Sequence, residues 1–333
     1  MRTGEHFMLG FRGFELPDWL LAFEARFGLG GVLLFDRDMT RDGGPRNVAS
    51  KDQVTALCAA VHALPSRPLV CVDQEGGLVR RLKPDHGFVD LPSAKALSAL
   101  PELEARAALA ASLGEMHDVG IDLDLAPVID LDLNPANPNI GAVERSFSPD
   151  PLEVVRGARL WFEAARAVGL QLCLKHYPGL GSARTDSHAE LTDVTDSLES
   201  REVDLFAQLA SEVPGDAVLV SHAVHRGWDA DWPASVSPAI LRPLREARPD
   251  TLLVSDDLQM RGLPCPTAEA VTRALQAGID FVCIGNNLDY EPEVCVAAAE
   301  AAAALVEHAD TAERLAASRE RIAQRKRAAA VGR

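Results

Sequence analysis

Short apolar runs recur along the chain, and longer segments rich in alanine and leucine separate them with helical periodicity. Eight runs are found, at residues 7–11, 31–35, 68–73, 121–129, 170–175, 217–222, 251–256 and 280–285. Most of them are apolar without alternation, which is typical of parallel strands that are covered on both faces. Eight such strands alternating with helices in 333 residues predict an α/β fold, a (β/α)8 TIM-type barrel.

The segments between the runs contain recognisable helix starts. Ser50 followed by Gln53 forms a capping box and predicts a helix that continues over residues 54–63. A second helix is predicted to begin around residues 149–152, and the alanine-rich segment from about 292 to 330 is long enough for two helices. No repeat or low-complexity linker marks a boundary, so we predict a single domain over residues 1–333, with the helical segment 292–333 packed on the barrel.

Composition and charge narrow the possible classes. A hydrophobic fraction of 47% in a chain of this length can bury a large core, which excludes disordered and collagen-like proteins. The chain has 33 basic and 49 acidic residues, and its net charge of −16 disfavours a nucleic-acid partner because phosphate binding needs a basic face. The basic run at residues 319–327 is explained by the end of the last helix, where cations complement the helix dipole.

The N-terminal residues and the cysteines bear on location and cofactors. The first fourteen residues include Arg2, Glu5 and Arg12 and no long apolar run, so we expect no signal peptide. No stretch approaches the length of a membrane span. The six cysteines are scattered without a zinc spacing, and we expect them to be reduced and mostly buried. These observations predict a soluble, cytoplasmic protein with no metal, no cofactor and no membrane partner.

Polar residues cluster directly after the apolar runs, where predicted strands end. These positions are 73–77, 130, 175–176, 221–222, 255–257 and 286–287. In a parallel barrel the carboxyl ends of the strands all open onto one face, where active sites are built. Because a buried charge without a partner or a ligand is costly, so many ionisable groups at one face predict an enzyme rather than a scaffold.

Two constellations could carry chemistry. The first is the loop at 175–188, which contains Gly179 and Gly181 and ends in Asp186 and His188. Two residues apart in a loop, the carboxylate can hold one imidazole nitrogen and leave the other to exchange a proton with a substrate. The alternative for this pair is a surface histidine beside a helix-capping aspartate.

The second constellation is the pair of aspartates that ends the run at 251–256. A carboxylate at this position can attack an electrophilic carbon and form a covalent ester, which is the nucleophile's part in retaining glycoside hydrolysis. Asp256 comes first after the apolar run and is our candidate for that part. Asp257 is a candidate for capping the element that follows.

Five segments together resemble the β-N-acetylglucosaminidase branch of glycoside hydrolase family 3. They are Asp-Gln-Glu-Gly-Gly at 73–77 continuing to Arg81, Leu-Ala-Pro-Val at 125–128, Arg-Ser-Phe at 145–147, Lys-His-Tyr-Pro-Gly-x-Gly-x4-Asp-Ser-His at 175–188 and Ser-Asp-Asp-Leu-x-Met at 255–260. Their order and their positions at strand ends agree with the family from about residue 8 to 290.

The resemblance implies a retaining β-N-acetylhexosaminidase. Asp256 is then the nucleophile, and His188, oriented by Asp186, is the acid/base. The residues that match the family's sugar-binding positions are Asp73, Arg81, Arg145, Lys175 and His176. The resemblance also implies that the substrate is a muropeptide-type or chito-oligosaccharide fragment with GlcNAc at its non-reducing end. The enzyme would then function in cell-wall recycling, and we expect it to be a monomer or a weak dimer.

Several residues have structural interpretations beside the functional ones. Glu75 is expected to brace the loop beneath Gly76 and Gly77 rather than bind sugar, and Arg145 has Glu144 beside it as a possible ion-pair partner. His222, which follows the run at 217–222, is a candidate for the floor of the pocket.

The sequence also departs from the family pattern. Leu78 stands where arginine is usual, and Leu180 stands where histidine is usual. We expect these two changes to affect the preference for the aglycone and the loop that leads to His188.

Other functions stay open at this point. A phosphorylase would use inorganic phosphate instead of water, and a histidine acid/base does not repel phosphate as a carboxylate would. A β-glucosidase would share the same machinery. A metal-dependent hydrolase would use Lys175, His176, His222 and Asp256, but such barrels need a His-x-His pair at the first strand, which the run at 7–11 lacks. A silent sugar-binding barrel has no need of a nucleophile.

Overall fold

A closed barrel of eight parallel strands forms the centre of the molecule in the computed structural model, which describes residues 2–39, 44–185, 191–212, 216–307 and 309–331. The prediction of a (β/α)8 barrel is confirmed, and each of the eight apolar runs overlaps one strand. The barrel strands are β1 (Phe7–Gly10), β2 (Gly31–Leu34), β3 (Leu69–Val72), β6 (Leu123–Asp124), β7 (Gln171–Tyr177), β8 (Ala217–Val220), β9 (Leu252–Asp257) and β10 (Phe281–Ile284). Strands β1 and β10 pair in parallel, with Met8 opposite Cys283, and this pairing closes the barrel.

Ten α-helices lie within the described ranges and surround the strands. They are α1 (Asp18–Phe27), α2 (Lys51–His62), α3 (Ala94–Ala99), α4 (Glu102–Val119), α5 (Pro151–Val168), α6 (Ser200–Glu212), α7 (Pro238–Ala247), α8 (Thr267–Ala277), α9 (Pro292–Ala304) and α10 (Ala309–Val331). The predicted cap of α2 is confirmed, because the Ser50 side chain accepts a hydrogen bond from the amide of Gln53. The predicted start of α5 and the two helices after residue 292 are also confirmed.

The strands carry apolar side chains on both faces, because apolar and polar residues do not alternate along them. One face packs outward against the helices in the larger core, which includes Phe7, Leu9 and Val70. The other face fills the interior of the barrel with side chains such as Met8, Leu69 and Phe281. Both layers exclude water, and this double burial explains why the strands read as continuous apolar runs.

A short antiparallel hairpin follows β3 and was not predicted from the sequence. It consists of β4 (Gln74–Gly76) and β5 (Val79–Arg80). The buried Gln74 side chain holds it by accepting from the amides of Arg81 and Leu82 at 3.0 and 2.9 Å. Gly76 has a φ of +88°, and a Cβ there would lie 2.1 Å from the carbonyl oxygen of Pro92, so the turn requires glycine.

Helix α10 lies across the amino-terminal end of the barrel. Its Arg321 pairs with Asp280, which precedes β10, at 2.8 Å, and its Lys326 donates to the carbonyl of Leu29, which precedes β2, at 2.9 Å. Ile322 of the same helix reaches the apolar interior of the barrel. The opposite, carboxyl-terminal end is therefore the one that stays open. That residues 1–333 form one domain stays a prediction.

In the described part of the chain, no helix combines the length and the apolar character that crossing a membrane requires.

Candidate active site

A cavity of about 280 Å³ opens at the carboxyl-terminal end of the barrel. This volume lies at the small end of the range for ligand sites. The ends of β3, β7 and β9 contribute most of its polar lining. The acidic, basic and histidine residues that line it are Arg37, Asp73, Glu75, Arg81, Arg145, Lys175, His176, Asp256 and Asp257. Five of the six predicted sugar-binding residues and the predicted nucleophile therefore line one cavity.

An ion-pair cluster occupies one side of this cavity. The ammonium of Lys175, which is only 2% exposed, lies 2.7 Å from Asp73 Oδ1 and 2.5 Å from Glu75 Oε1. The guanidinium of Arg145 donates to both oxygens of Glu75, from Nε at 2.7 Å and from Nη2 at 2.8 Å. Glu75 thus joins two cations that lie 30 residues apart in sequence, and it fixes both of them at the cavity wall.

Burial favours the neutral form of every member of this cluster, but the opposite charges outweigh it. Arg145 and Lys175 together hold the pKa of Glu75 well below its ordinary value. The two carboxylates raise the pKa of Lys175 in turn, and Lys175 and Arg81 lower the pKa of Asp73. All members are therefore charged at neutral pH. They present preorganised hydrogen-bond donors and one partly exposed carboxylate, Asp73, to a ligand.

His176 is held by two neighbours in a defined orientation. Its Nδ1 lies 2.6 Å from Asp130 Oδ2, and its Nε2 lies 3.0 Å from Nη2 of Arg145. Because an arginine can only donate, Nε2 is the acceptor of that contact and Nδ1 is the donor to Asp130. The ring consequently belongs to the same network as the ion-pair cluster.

Arg81 approaches the cavity from the end of the hairpin. Its Nη2 lies 3.4 Å from Asp73 Oδ2, and its guanidinium lies over the ring of Phe35. The amide of Arg81 is fixed by Gln74, so the hairpin determines where the side chain begins.

The two aspartates at the end of β9 have different environments. Asp256 lines the cavity, is partly exposed, and accepts from the amide of Asp257 at 2.9 Å. Asp257 Oδ1 accepts from the amides of Gln259 at 3.1 Å and of Gly285 at 3.0 Å. Asp257 therefore caps the turn that follows β9 and links it to β10, whereas Asp256 is accessible from the cavity.

Three predicted residues are not placed in the cavity lining. His222 is buried, with Nδ1 2.7 Å from Ser235 Oγ and Nε2 2.9 Å from the carbonyl of Asp257, so it supports the turn after β9. Asp186 and His188 lie outside the described residues. The described chain reaches Thr185 and resumes at Leu191.

Sequence reasoning missed the connections of Glu75 and Asp130. Glu75 pairs with Lys175 and Arg145 rather than only bracing its loop, and Arg145 pairs with Glu75 rather than with the adjacent Glu144. Asp130 was recognised as a polar residue at a strand end, and that position was the available signal for its contact with His176. Partners that lie 70 and 46 residues apart leave no spacing pattern in the sequence.

The described residues contain no group of three or more His, Cys, Asp or Glu side chains arranged to hold a metal ion.

Comparisons with known proteins agree with this geometry. Residues 24–325 match the Glycosyl hydrolase family 3 N terminal domain. A Beta-hexosaminidase from Pseudomonas aeruginosa (strain LESB58) is 35% identical over 268 residues, which cover 78% of this chain and 76% of that protein. The crystal structure of Beta-N-acetylhexosaminidase from Beutenbergia cavernae DSM 12333 has a TM-score of 0.84 at 28% identity, covering 98% of this chain and 97% of that one. NagZ from Neisseria gonorrhoeae has a TM-score of 0.72 at 25% identity, covering 95% and 97%.

Proposed function

The chain belongs to glycosyl hydrolase family 3, and we propose that it is a retaining exo-β-N-acetylglucosaminidase. The observation that carries the proposal is the position of Asp256. This aspartate lines the same cavity as the cluster of Asp73, Arg145 and Lys175, so that a sugar held by the cluster has a carboxylate beside it. The similar proteins named above as β-hexosaminidases support GlcNAc as the sugar that is removed.

In this proposal Asp256 attacks the anomeric carbon of the bound GlcNAc. The bond between that carbon and the aglycone oxygen breaks while the bond to the carboxylate oxygen forms, and the imidazolium of His188 gives its proton to the leaving oxygen. Water then attacks the same carbon and releases Asp256, and the proton of that water returns to His188. Asp186 orients the imidazole in both steps. Two displacements at one carbon retain the β configuration.

The binding side of the proposal rests on the ion-pair cluster. Asp73 accepts from sugar hydroxyls, and Arg81, Arg145, Lys175 and His176 donate or orient donors toward them. The opposite charges within the cluster already offset the free-energy cost of burying these groups. The groups therefore need no reorganisation when the substrate arrives.

The finer assignment concerns the substrate and its place in the cell. We infer that the substrate is a muropeptide-type or chito-oligosaccharide fragment with GlcNAc at the non-reducing end, and that the enzyme acts in the cytoplasm during cell-wall recycling. We also infer that it works without a cofactor, as one catalytic domain, and as a monomer or a weak dimer.

The test is release of p-nitrophenol from its β-N-acetylglucosaminide and from its β-glucoside, with and without phosphate. We expect phosphate-independent turnover of the first glycoside, lost by at least about 10³-fold in Asp256→Ala. Asp257→Asn is the matched control, because that residue ties the same turn to β10 but donates no nucleophile. Formation of GlcNAc-1-phosphate would instead assign a phosphorylase, and turnover of only the glucoside would assign a β-glucosidase.

A further inference from the structure

The segment at residues 180–185, here called the stem, connects the end of β7 to Asp186. Its backbone carbonyls are bound by three asparagines from the segment that follows Leu131. Asn137 Nδ2 donates to the carbonyls of residues 180 and 181 at 2.6 and 3.2 Å. Asn134 Nδ2 donates to the carbonyl of residue 183 at 2.9 Å, and Asn139 Nδ2 donates to that of Thr185 at 2.6 Å. These side chains therefore hold the stem in addition to its own turn, in which the amide of Ala183 donates to the carbonyl of residue 180 at 3.1 Å.

Two carboxylates bind amides of the same stem. Asp130 Oδ1 accepts from the amide of Leu180 at 2.7 Å, and Glu202 Oε1 accepts from the amide of Ser182 at 3.2 Å. The other oxygen of Asp130 holds His176. One buried carboxylate thus fixes both a wall of the cavity and the first residue of the stem.

The stem is also packed closely on its apolar side. Leu180 is 1% exposed and belongs to a small apolar cluster with Val128 and Ile140. A Cβ on Gly181 would lie 1.8 Å from the carbonyl oxygen of Leu131, so the two backbones are in direct contact. The leucine that replaces the histidine usual in the family therefore anchors the stem by burial.

Asn139 connects the stem to the ion-pair cluster. Its carbonyl accepts from Nη1 of Arg145 at 2.7 Å, while its side chain holds Thr185, the residue directly before Asp186. A misplacement of about 1 Å in a catalytic group can lower a rate on the order of 10²-fold, so the point from which the chain leaves toward His188 has to be fixed.

We propose that Asn134, Asn137 and Asn139 are positioning residues that align the acid/base with the leaving-group oxygen by fixing the stem to the sugar-binding wall. This inference rests on the proposed function, in which His188 protonates that oxygen. The side chains of Asn134, Asn137 and Asn139 do not touch the sugar in this assignment. Their contribution is confined to the steps in which His188 gives or takes a proton.

Leaving-group dependence tests the proposal, because a 2,4-dinitrophenolate leaves without a proton whereas a phenolate needs one. The readout is the ratio of kcat/KM for phenyl to that for 2,4-dinitrophenyl β-N-acetylglucosaminide. In Asn139→Ala we expect this ratio to fall on the order of 10-fold or more, with the dinitrophenyl glycoside nearly unaffected. An unchanged ratio in Asn139→Ala would overturn the proposal.

Asn47→Ala is the matched control. Asn47 is equally buried and donates to the carbonyls of Phe11 and Gly13, away from the stem. The Asn47→Ala variant should lower thermal stability in a similar way, while the ratio of kcat/KM for the two glycosides stays within about twofold of wild type. If Asn139→Ala does not fold, Asn134→Ala, which removes one bond to the stem from a half-buried position, should lower the ratio in the same direction.

His188→Ala separates failure of this proposal from failure of the proposed function. If the wild type hydrolyses neither glycoside, or if His188→Ala leaves the ratio unchanged, the proposed acid/base assignment fails and the positioning role fails with it. If His188→Ala lowers the ratio and Asn139→Ala does not, only the positioning role is overturned.

Discussion

The two ends of the barrel both bury charged side chains, but they do so in different ways. At the amino-terminal end, Asp280 is 1% exposed and pairs with Arg245 at 2.5 Å and with Arg321 of α10 at 2.8 Å. At the carboxyl-terminal end, Lys175 is equally buried and pairs with Asp73 and Glu75. Buried ion pairs are therefore common to both ends, and by themselves they do not identify the active site.

What differs is the source of the partners and the space beside them. At the amino-terminal end the positive partners come from helices α7 and α10, and α10 lies across the strand starts. At the carboxyl-terminal end the partners come from β7 and from the segments that follow β3 and β6, and they surround an open cavity that also contains Asp256. A buried ion pair is weak evidence for stability and weaker evidence for catalysis. The convergence of several ionisable side chains on one cavity, by contrast, indicates a functional site.

Removing one cation from each end should affect activity very differently. In Lys175→Met, two carboxylates lose a charge-assisted partner at the sugar-binding wall, and we expect kcat/KM for the p-nitrophenyl β-N-acetylglucosaminide to fall on the order of 10²-fold or more. In Arg321→Met, a pair is lost beneath α10, and kcat/KM should stay within about twofold. Comparable losses of activity in both variants would contradict the functional distinction between the ends.

Much of the barrel and of the candidate site was predictable from the sequence. The eight strands were predictable because each is apolar on both faces. Asp73, Lys175 and His176 were also marked by their positions at strand ends, whereas Arg81 and Arg145 became candidates only through the resemblance to the family. The hairpin β4–β5 was not predictable, since β5 contains only two residues and has no periodicity. The joining of Lys175 and Arg145 by Glu75 was not predictable either, because it depends on how closely β7, the hairpin and the loop that contains Arg145 approach each other. The role of α10 as a cover for the barrel depends equally on tertiary packing.

Asp280 should contribute strongly to stability at the amino-terminal end. Asp280→Asn leaves Arg245 and Arg321 without the charge that compensates their burial, so we expect the free energy of unfolding to fall by about 3 kcal/mol. Activity per folded molecule should stay unchanged, because the site is at the other end. Urea unfolding combined with active-site assays measures both quantities.

Asp216→Asn is the control for that variant. Asp216 pairs with Arg325 of α10 at 3.3 Å and is less buried than Asp280. Removing the charge of Asp216 should therefore lower the free energy of unfolding by about 1 kcal/mol or less. An equal loss of stability in the two variants would show that the charge of Asp280 has no special part in holding α10.

Two lysines, one at each end of the barrel, have pKa values shifted in opposite directions. Lys175 has a raised pKa because Asp73 and Glu75 outweigh its burial. Lys326 of α10 donates to the carbonyls of Leu29 and Ser66, and burial lowers its pKa to about 8 even though Glu5 counteracts that effect. The two lysines should therefore affect the pH dependence of stability with opposite signs.

For Lys326 the sign follows from proton linkage. Below its folded pKa of about 8 the lysine is charged in both states, and the folded state bears the full cost of burying the charge. Between pH 8 and the ordinary lysine pKa of about 10.4, the unfolded chain binds more protons than the folded one, so stability rises with pH relative to Lys326→Met. For Lys175 the contribution is complete below about pH 10.4 and is lost only as the pH passes its raised folded value. Urea unfolding of wild type and Lys326→Met at several pH values from about 7 to 10 measures the difference. A constant difference would mean that Lys326 is as well compensated as Lys175, and that the two ends of the barrel treat a buried cation alike.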